Sequence, residues 1–128
     1  MFRAARDITA TCDGRVLIVN QYADSLYIFD VEGHQLGKFI VKDERDVYKR
    51  IACHPVSDHV VIAGYERGTG RLTLAIYTVN GEFVRRIQLD EVVWYNVHRI
   101  TVTVEGHIAV ALQNIKDEDT LQGKVIVV

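Results

Sequence analysis

Apolar runs in this chain return at a fixed interval, and that interval constrains the fold more than any other property of the sequence. Arg15-Val16-Leu17-Ile18-Val19 stands against His59-Val60-Val61-Ile62-Ala63 and His107-Ile108-Ala109-Val110-Ala111. Ile8 falls against Ile51 and Ile100, and Leu26 to Gly33 aligns with Leu74 to Gly81 without a gap. The period is about forty-five residues, the size of a unit that buries its faces by stacking on its neighbours.

Within each unit the apolar runs are short and bounded by turn residues, which is strand length rather than helix length. The predicted strands are Ile8 to Thr11, Arg15 to Val19, Leu26 to Phe29, Leu36 to Val41, Arg50 to Cys53, Val60 to Ala63, Leu72 to Tyr77, Phe83 to Leu89, Ile100 to Val104, Ile108 to Leu112 and Val125 to Val128. Asp13-Gly14, Glu32-Gly33, Asn80-Gly81 and Glu105-Gly106 each supply a residue that tolerates positive φ, as a two-residue hairpin requires. A unit of short antiparallel strands in a meander has the content of one propeller blade. The fold class is therefore all-β, with blade one at about 8–49, blade two at about 50–99 and an incomplete blade three at about 100–128. The second and third strands of each unit are apolar at consecutive positions, so both of their faces are expected to be covered. A sandwich would show alternation instead. The first and fourth strands are mixed, and Lys38, Arg85, Arg86 and Gln88 suit exposed edges that resist unwanted pairing.

Asp13-Gly14-Arg15-Val16-Leu17-Ile18-Val19-Asn20 followed by Ile28-Phe29-Asp30-Val31-Glu32-Gly33 resembles a unit of the NHL-repeat family. The second unit keeps the Asn80-Gly81 turn but has Thr78 where the family's Asp is expected, and the third keeps Glu105-Gly106-His107-Ile108. The resemblance implies a β-propeller blade fold, usually closed into a six-bladed ring. It also implies binding of protein or RNA partners, often at the C-terminal end of tripartite-motif proteins. No RING, B-box or coiled-coil segment precedes the repeats in these residues.

Three units are half of such a ring, and 128 residues form one domain at most. An open stack would expose apolar end faces and the edge of Val125-Ile126-Val127-Val128. The expected state is a half-propeller that forms a homodimer by ring completion or strand exchange. The alternative is that the remaining blades belong to a longer natural chain.

Charge orders the function classes. Fifteen Lys and Arg against seventeen Asp and Glu give a net charge of -2, which is poor for a protein whose main task is neutralising a phosphate backbone. Protein binding and self-association come first, RNA or single-stranded DNA binding is the alternative, and metal-dependent nuclease activity is a remote third. The start carries Arg3, Arg6 and Asp7 where a signal peptide needs apolar residues, and no apolar run is long enough to span a membrane, so a cytoplasmic location is expected. Cys12 and Cys53 have no CxxC spacing and are expected to be buried, reduced small hydrophobes.

Propellers bind through loops on one face. Here those loops are Asn20 to Ser25, Gly64 to Arg71, Gln113 to Lys124, Lys42 to Lys49 and Asp90 to Arg99. They supply the candidate binding residues Tyr22, Lys42, Arg45, Tyr48, Lys49, Arg50, Arg67, Arg71, Trp94, Tyr95 and Arg99, with His98 beside them. Basic side chains next to exposed aromatics suit a protein hot spot or a single strand of nucleic acid. Each has a plainer reading: Lys42-Asp43-Glu44-Arg45-Asp46 is charge-balanced and reads as a solvated loop, Trp94 or Tyr95 as blade packing, and Gly64 to Gly70 as a mobile loop without the Lys-Ser or Lys-Thr of a phosphate cradle. Asp43, Glu44 and Asp46, or Asp117, Glu118 and Asp119, are the residues a Mg²⁺ site would draw on. No cofactor is expected.

Overall fold

A computed structural model describes residues 5–20, 25–41, 43–93, 97–117 and 120–128, and the side chains of 114–122 are left out of the description. Among the described residues every regular element is a strand. The order is β1 (Ala5–Ala10), β2 (Val16–Asn20), β3 (Ser25–Phe29), β4 (Gln35–Ile40), β5 (Asp46–Cys53), β6 (His59–Glu66), β7 (Arg71–Thr78), β8 (Phe83–Val92), β9 (Val97–Val102), β10 (Ile108–Asp117) and β11 (Thr120–Val127). They form three antiparallel meanders, β1-β2-β3-β4, β5-β6-β7-β8 and β9-β10-β11. The sheets stack in chain order as a partial propeller-like arrangement, with β5 lying against both β1 and β9.

Alternation along the middle sheet fills both of its interfaces. Val60, Ile62, Ala75 and Tyr77 face the first sheet, where they meet Leu17, Val19, Leu26 and Val41. Val61, Ala63, Leu72, Leu74 and Ile76 face the third, against Val102, Ile108, Val110 and Leu112. All interior positions of β6 and β7 are buried, which is why those strands read as continuous apolar runs.

The hairpin turns are one residue longer than the sequence reading has them. In each, a backbone pair closes over three residues: Thr11 with Arg15, Asp30 with His34, Thr78 with Glu82, and Thr103 with His107. Gly14, Gly33, Gly81 and Gly106 take φ values of +86° to +92° in these turns, the left-handed residue of a three-residue hairpin. The side chain that opens each turn closes it as well. Asp30 Oδ1 accepts from the His34 amide at 2.9 Å, and Thr78 Oγ1 accepts from the Glu82 amide at 3.2 Å. Thr78 therefore does the work of the expected Asp.

The strands also reach further than predicted. Gly64 to Glu66 belong to β6, Arg71 to β7, Asp46 to Lys49 to β5, and most of Gln113 to Lys124 to the β10–β11 hairpin. All three of these sequence-derived loops shrink accordingly, the Gly64 segment to a turn at Arg67–Gly70. The first strands are not charged outer edges: β5 lies against β1 on one side and β9 on the other, at the inner side of the stack. Cys12 is exposed, contrary to the expectation for it, and Cys53 is half-buried; the Cys12 thiol donates to the Ser57 carbonyl at 3.3 Å.

Candidate functional site

The three inner strands share one irregularity. Pairing skips a residue between Ala5 and Asp7 in β1 and between Tyr48 and Arg50 in β5, while in β9 Val97 and Arg99 pair with the adjacent Leu112 and Ala111. The bulged residues are Arg6, Lys49 and His98, followed by Asp7, Arg50 and Arg99, of which Asp7 and Arg50 bond the next sheet. A bulge adds twist and re-aims side chains. Here it gathers basic groups from three sheets at one place.

Arg50 spans them. Its Nε donates to the His98 carbonyl at 2.8 Å and its Nη1 to the Arg6 carbonyl at 3.5 Å. In the preceding interface Asp7 Oδ2 accepts from the Ile51 amide at 2.9 Å. Partial burial, and then the neighbouring Arg6 and Arg50, hold the Lys49 ammonium below its usual pKa. Such crowding of like charge favours an acceptor partner, a neutral carbonyl or, more strongly, an anionic carboxylate or phosphate.

A second set of predicted residues lies on the rim. Arg45 is exposed and forks onto Asp43 at 2.7 to 3.3 Å, which holds the Asp43 carboxyl at about 2. The Arg67 amide donates to the Arg45 carbonyl at 2.6 Å, joining the β6–β7 turn to this segment. Arg67 and Arg71 are exposed.

Tyr48 is corrected from binding residue to core. It is 2% exposed, and its hydroxyl donates to Asp46 Oδ2 at 3.0 Å. Asp46, read as part of a solvated charge run, is buried as well. Arg86 donates to it from Nε at 2.8 Å and Nη2 at 2.7 Å, and to Glu66 from Nη2 at 3.2 Å. Those bonds raise the Arg86 pKa above its usual range and help lower that of Glu66. Arg86 is thus a partner in a buried pair and not an edge charge. A Cβ on Gly64 would lie 1.8 Å from the Val47 carbonyl oxygen, so only glycine lets the start of β5 lie this close to β6.

On the third sheet a groove of about 370 Å³ is lined by His98, Ala111, Leu112, Gln113, Gly123, Lys124 and Val125. Lys124 Nζ bonds Glu91 at 2.7 Å beside it. Tyr22, Lys42, Trp94 and Tyr95 lie outside the described residues, as do Glu118, Asp119 and the side chain of Asp117. Among the described residues no three His, Cys, Asp or Glu side chains converge on a metal-sized site. No described helix is long and apolar enough to cross a membrane.

Of the predicted residues, then, Lys49, Arg50 and Arg99 fall on the inner strands and Arg45, Arg67 and Arg71 on the rim. Arg6 and the Asp46–Arg86 pair escape the sequence reading. Arg6 precedes Asp7 as Lys49 precedes Arg50 and His98 precedes Arg99, a spacing visible once Ile8, Ile51 and Ile100 are superposed.

No family model and no curated protein matches this sequence. Solved structures of similar fold include a protein of unknown function from Bacteroides caccae, with a TM-score of 0.59 and 11% identity over 95% of this chain and 45% of that one. U3-55K has a TM-score of 0.57 and 8% identity over 83% of this chain and 34% of its own. Hydrazine synthase of Kuenenia stuttgartiensis has a TM-score of 0.51 and 14% identity over 94% and 49%. At these identities the likeness is one of fold. The chain spans less than half the length of each.

Proposed function

We propose that this chain is a non-enzymatic binding module of the NHL type that associates with a second copy of itself through its end sheets and presents its rim to protein partners. The observation that carries this reading is a pair of outward-facing sheet surfaces with exposed aliphatic side chains. On the first sheet Ile8 is 60% and Ile40 67% exposed, and on the third Val125 is 66% and Val127 63% exposed. Apolar side chains exposed on a sheet face are a candidate association surface, and in the first sheet Ile18 and Tyr27, in the row of Ile8, are already buried within the chain.

The repeat supports the pairing. Val125 and Val127 pair with Ala111 and Ala109 as Leu74 and Ile76 pair with Ala63 and Val61, and in the middle sheet those positions are buried. Ile8, Ile18 and Tyr27 occupy one row of the first sheet, as Ile51, Ile62 and Ala75 do in the second. A partner's first sheet against this third sheet would repeat the contact already made inside the chain.

Sedimentation equilibrium tests the reading. A species of twice 14.5 kDa at tens of micromolar, shifted to monomer by Val127→Asp, is expected. A stable 14.5 kDa particle at that concentration overturns it.

The inner-strand basic group favours a second reading, RNA or single-stranded DNA. That mode predicts affinity falling steeply with salt and with Arg99→Glu, whereas binding equal at 50 and 300 mM salt excludes it.

A further inference from the structure

The polar tie between successive sheets recurs, and one copy of it is unfilled. Arg50 stands opposite Ala63 just after the β5 bulge and donates to the backbone carbonyl of His98, the bulged residue of the next sheet. Arg99 stands opposite Ala111 just after the β9 bulge, the same place one unit later. It faces away from the middle sheet, is exposed, and makes no side-chain hydrogen bond or ion pair among the described residues. The bulged residue of the first sheet, equivalent to His98, is Arg6.

We infer that Arg99 selects the partner: in a second copy of this chain seated on the third sheet, its guanidinium donates to the backbone carbonyl of that copy's Arg6. This rests on the proposed pairing of end sheets and adds its register. Apolar faces alone are compatible with several lateral offsets, whereas a charged donor reaching one carbonyl accepts a single offset. The Arg6 carbonyl carries two lone pairs and accepts at 3.5 Å from Arg50 within its own chain. Two copies related by a two-fold axis would make the bond twice.

Sedimentation velocity over a concentration series separates this inference from its premise. Wild type, Val127→Asp, Arg99→Ala, Arg99→Lys and the exposed β8 control Arg85→Ala are compared, each checked for an unchanged far-ultraviolet spectrum. A hydrogen bond from a charged donor contributes about 1.5–3 kcal/mol, so one bond lost is a roughly 10- to 150-fold rise in the dissociation constant. Arg99→Ala is expected to weaken the dimer by at least that single-bond range, Arg99→Lys to recover only part of it, and Arg85→Ala to leave it unchanged. A dimer that Val127→Asp dissociates but Arg99→Ala does not weaken overturns the role of Arg99 and leaves face pairing standing. A monomeric wild type overturns both.

Discussion

Arg86→Ala should be among the most damaging single changes outside the apolar core. The Asp46 side chain is wholly buried and that of Arg86 is 15% exposed. Removing the guanidinium takes two of the three hydrogen bonds that reach the carboxylate and leaves the bond from Tyr48. Breaking a buried pair from one side costs about 3–5 kcal/mol, since the remaining charge stays desolvated. The surviving Tyr48 bond puts the expectation near the lower end, about 3 kcal/mol. For a domain of this size each kcal/mol lowers the melting temperature by roughly 4 °C, so a drop of roughly 12 °C follows. Urea and thermal unfolding at one fixed protein concentration give both numbers, the concentration being held because self-association shifts apparent stability. The double variant Asp46→Leu with Arg86→Met should regain most of the loss, because it removes both charges together. A cost below about 0.5 kcal/mol for Arg86→Ala would show that water reaches the pair and would refute the reasoning.

Gly64→Ala brings a methyl against the Val47 carbonyl oxygen, so β5 must move away from β6. It should cost more than about 3 kcal/mol or abolish folding, read as lost expression or a collapsed unfolding midpoint, while Gly37→Ala, with open space at its Cβ, should stay within about 1 kcal/mol by the same measurement. Acid should weaken the molecule in part through Asp13 and Asp43. Hydrogen bonds from Arg15 and Arg45 hold their carboxyls at about 2, below an ordinary 3.8. Depressed carboxyl values mean stabilisation that is present above about pH 4 and is lost as pH falls through about 2. Both groups are partly solvated, so together they contribute no more than about 1 kcal/mol. The Asp13→Asn, Asp43→Asn variant should be less stable than wild type at pH 6 and equal to it near pH 2, and a gap independent of pH would count against the assignment.

The repeat, the strands and the four glycine turns are legible in the sequence because they rest on local chemistry. A run such as Val60 to Ala63 declares its own burial, and a glycine at positive φ needs no distant partner. Even Thr78 is readable in hindsight, since any side-chain oxygen opening the turn can accept the Glu82 amide. The errors share a different cause. Asp46 sits in a run of mixed charge that reads as solvated, and its fate is decided by Arg86, forty residues away. Tyr48 reads as a loop aromatic because nothing nearby signals that β5 begins at Asp46 and lies close over Gly64. Cys12 follows the general habit of cysteine in the sequence reading, but the hairpin that carries it ends at the surface. The inner-strand basic group is intermediate. Its members are visible at matching repeat positions, yet only the shared bulge brings Arg6, Lys49 and His98 to one place.

The bonds from the Ile51 amide to Asp7 and from Arg50 to the His98 carbonyl bear on mechanics as well as recognition. Two slabs of Val, Leu and Ile lose little energy when one glides a fraction of a residue over the other, since the hydrophobic effect has no direction. A backbone group gripped across the gap does not tolerate that glide. The ties act as detents against shear, placed where the sheets converge and a small slip would swing the outer strands furthest. Loosening them should leave each blade folded while letting the angle between blades wander.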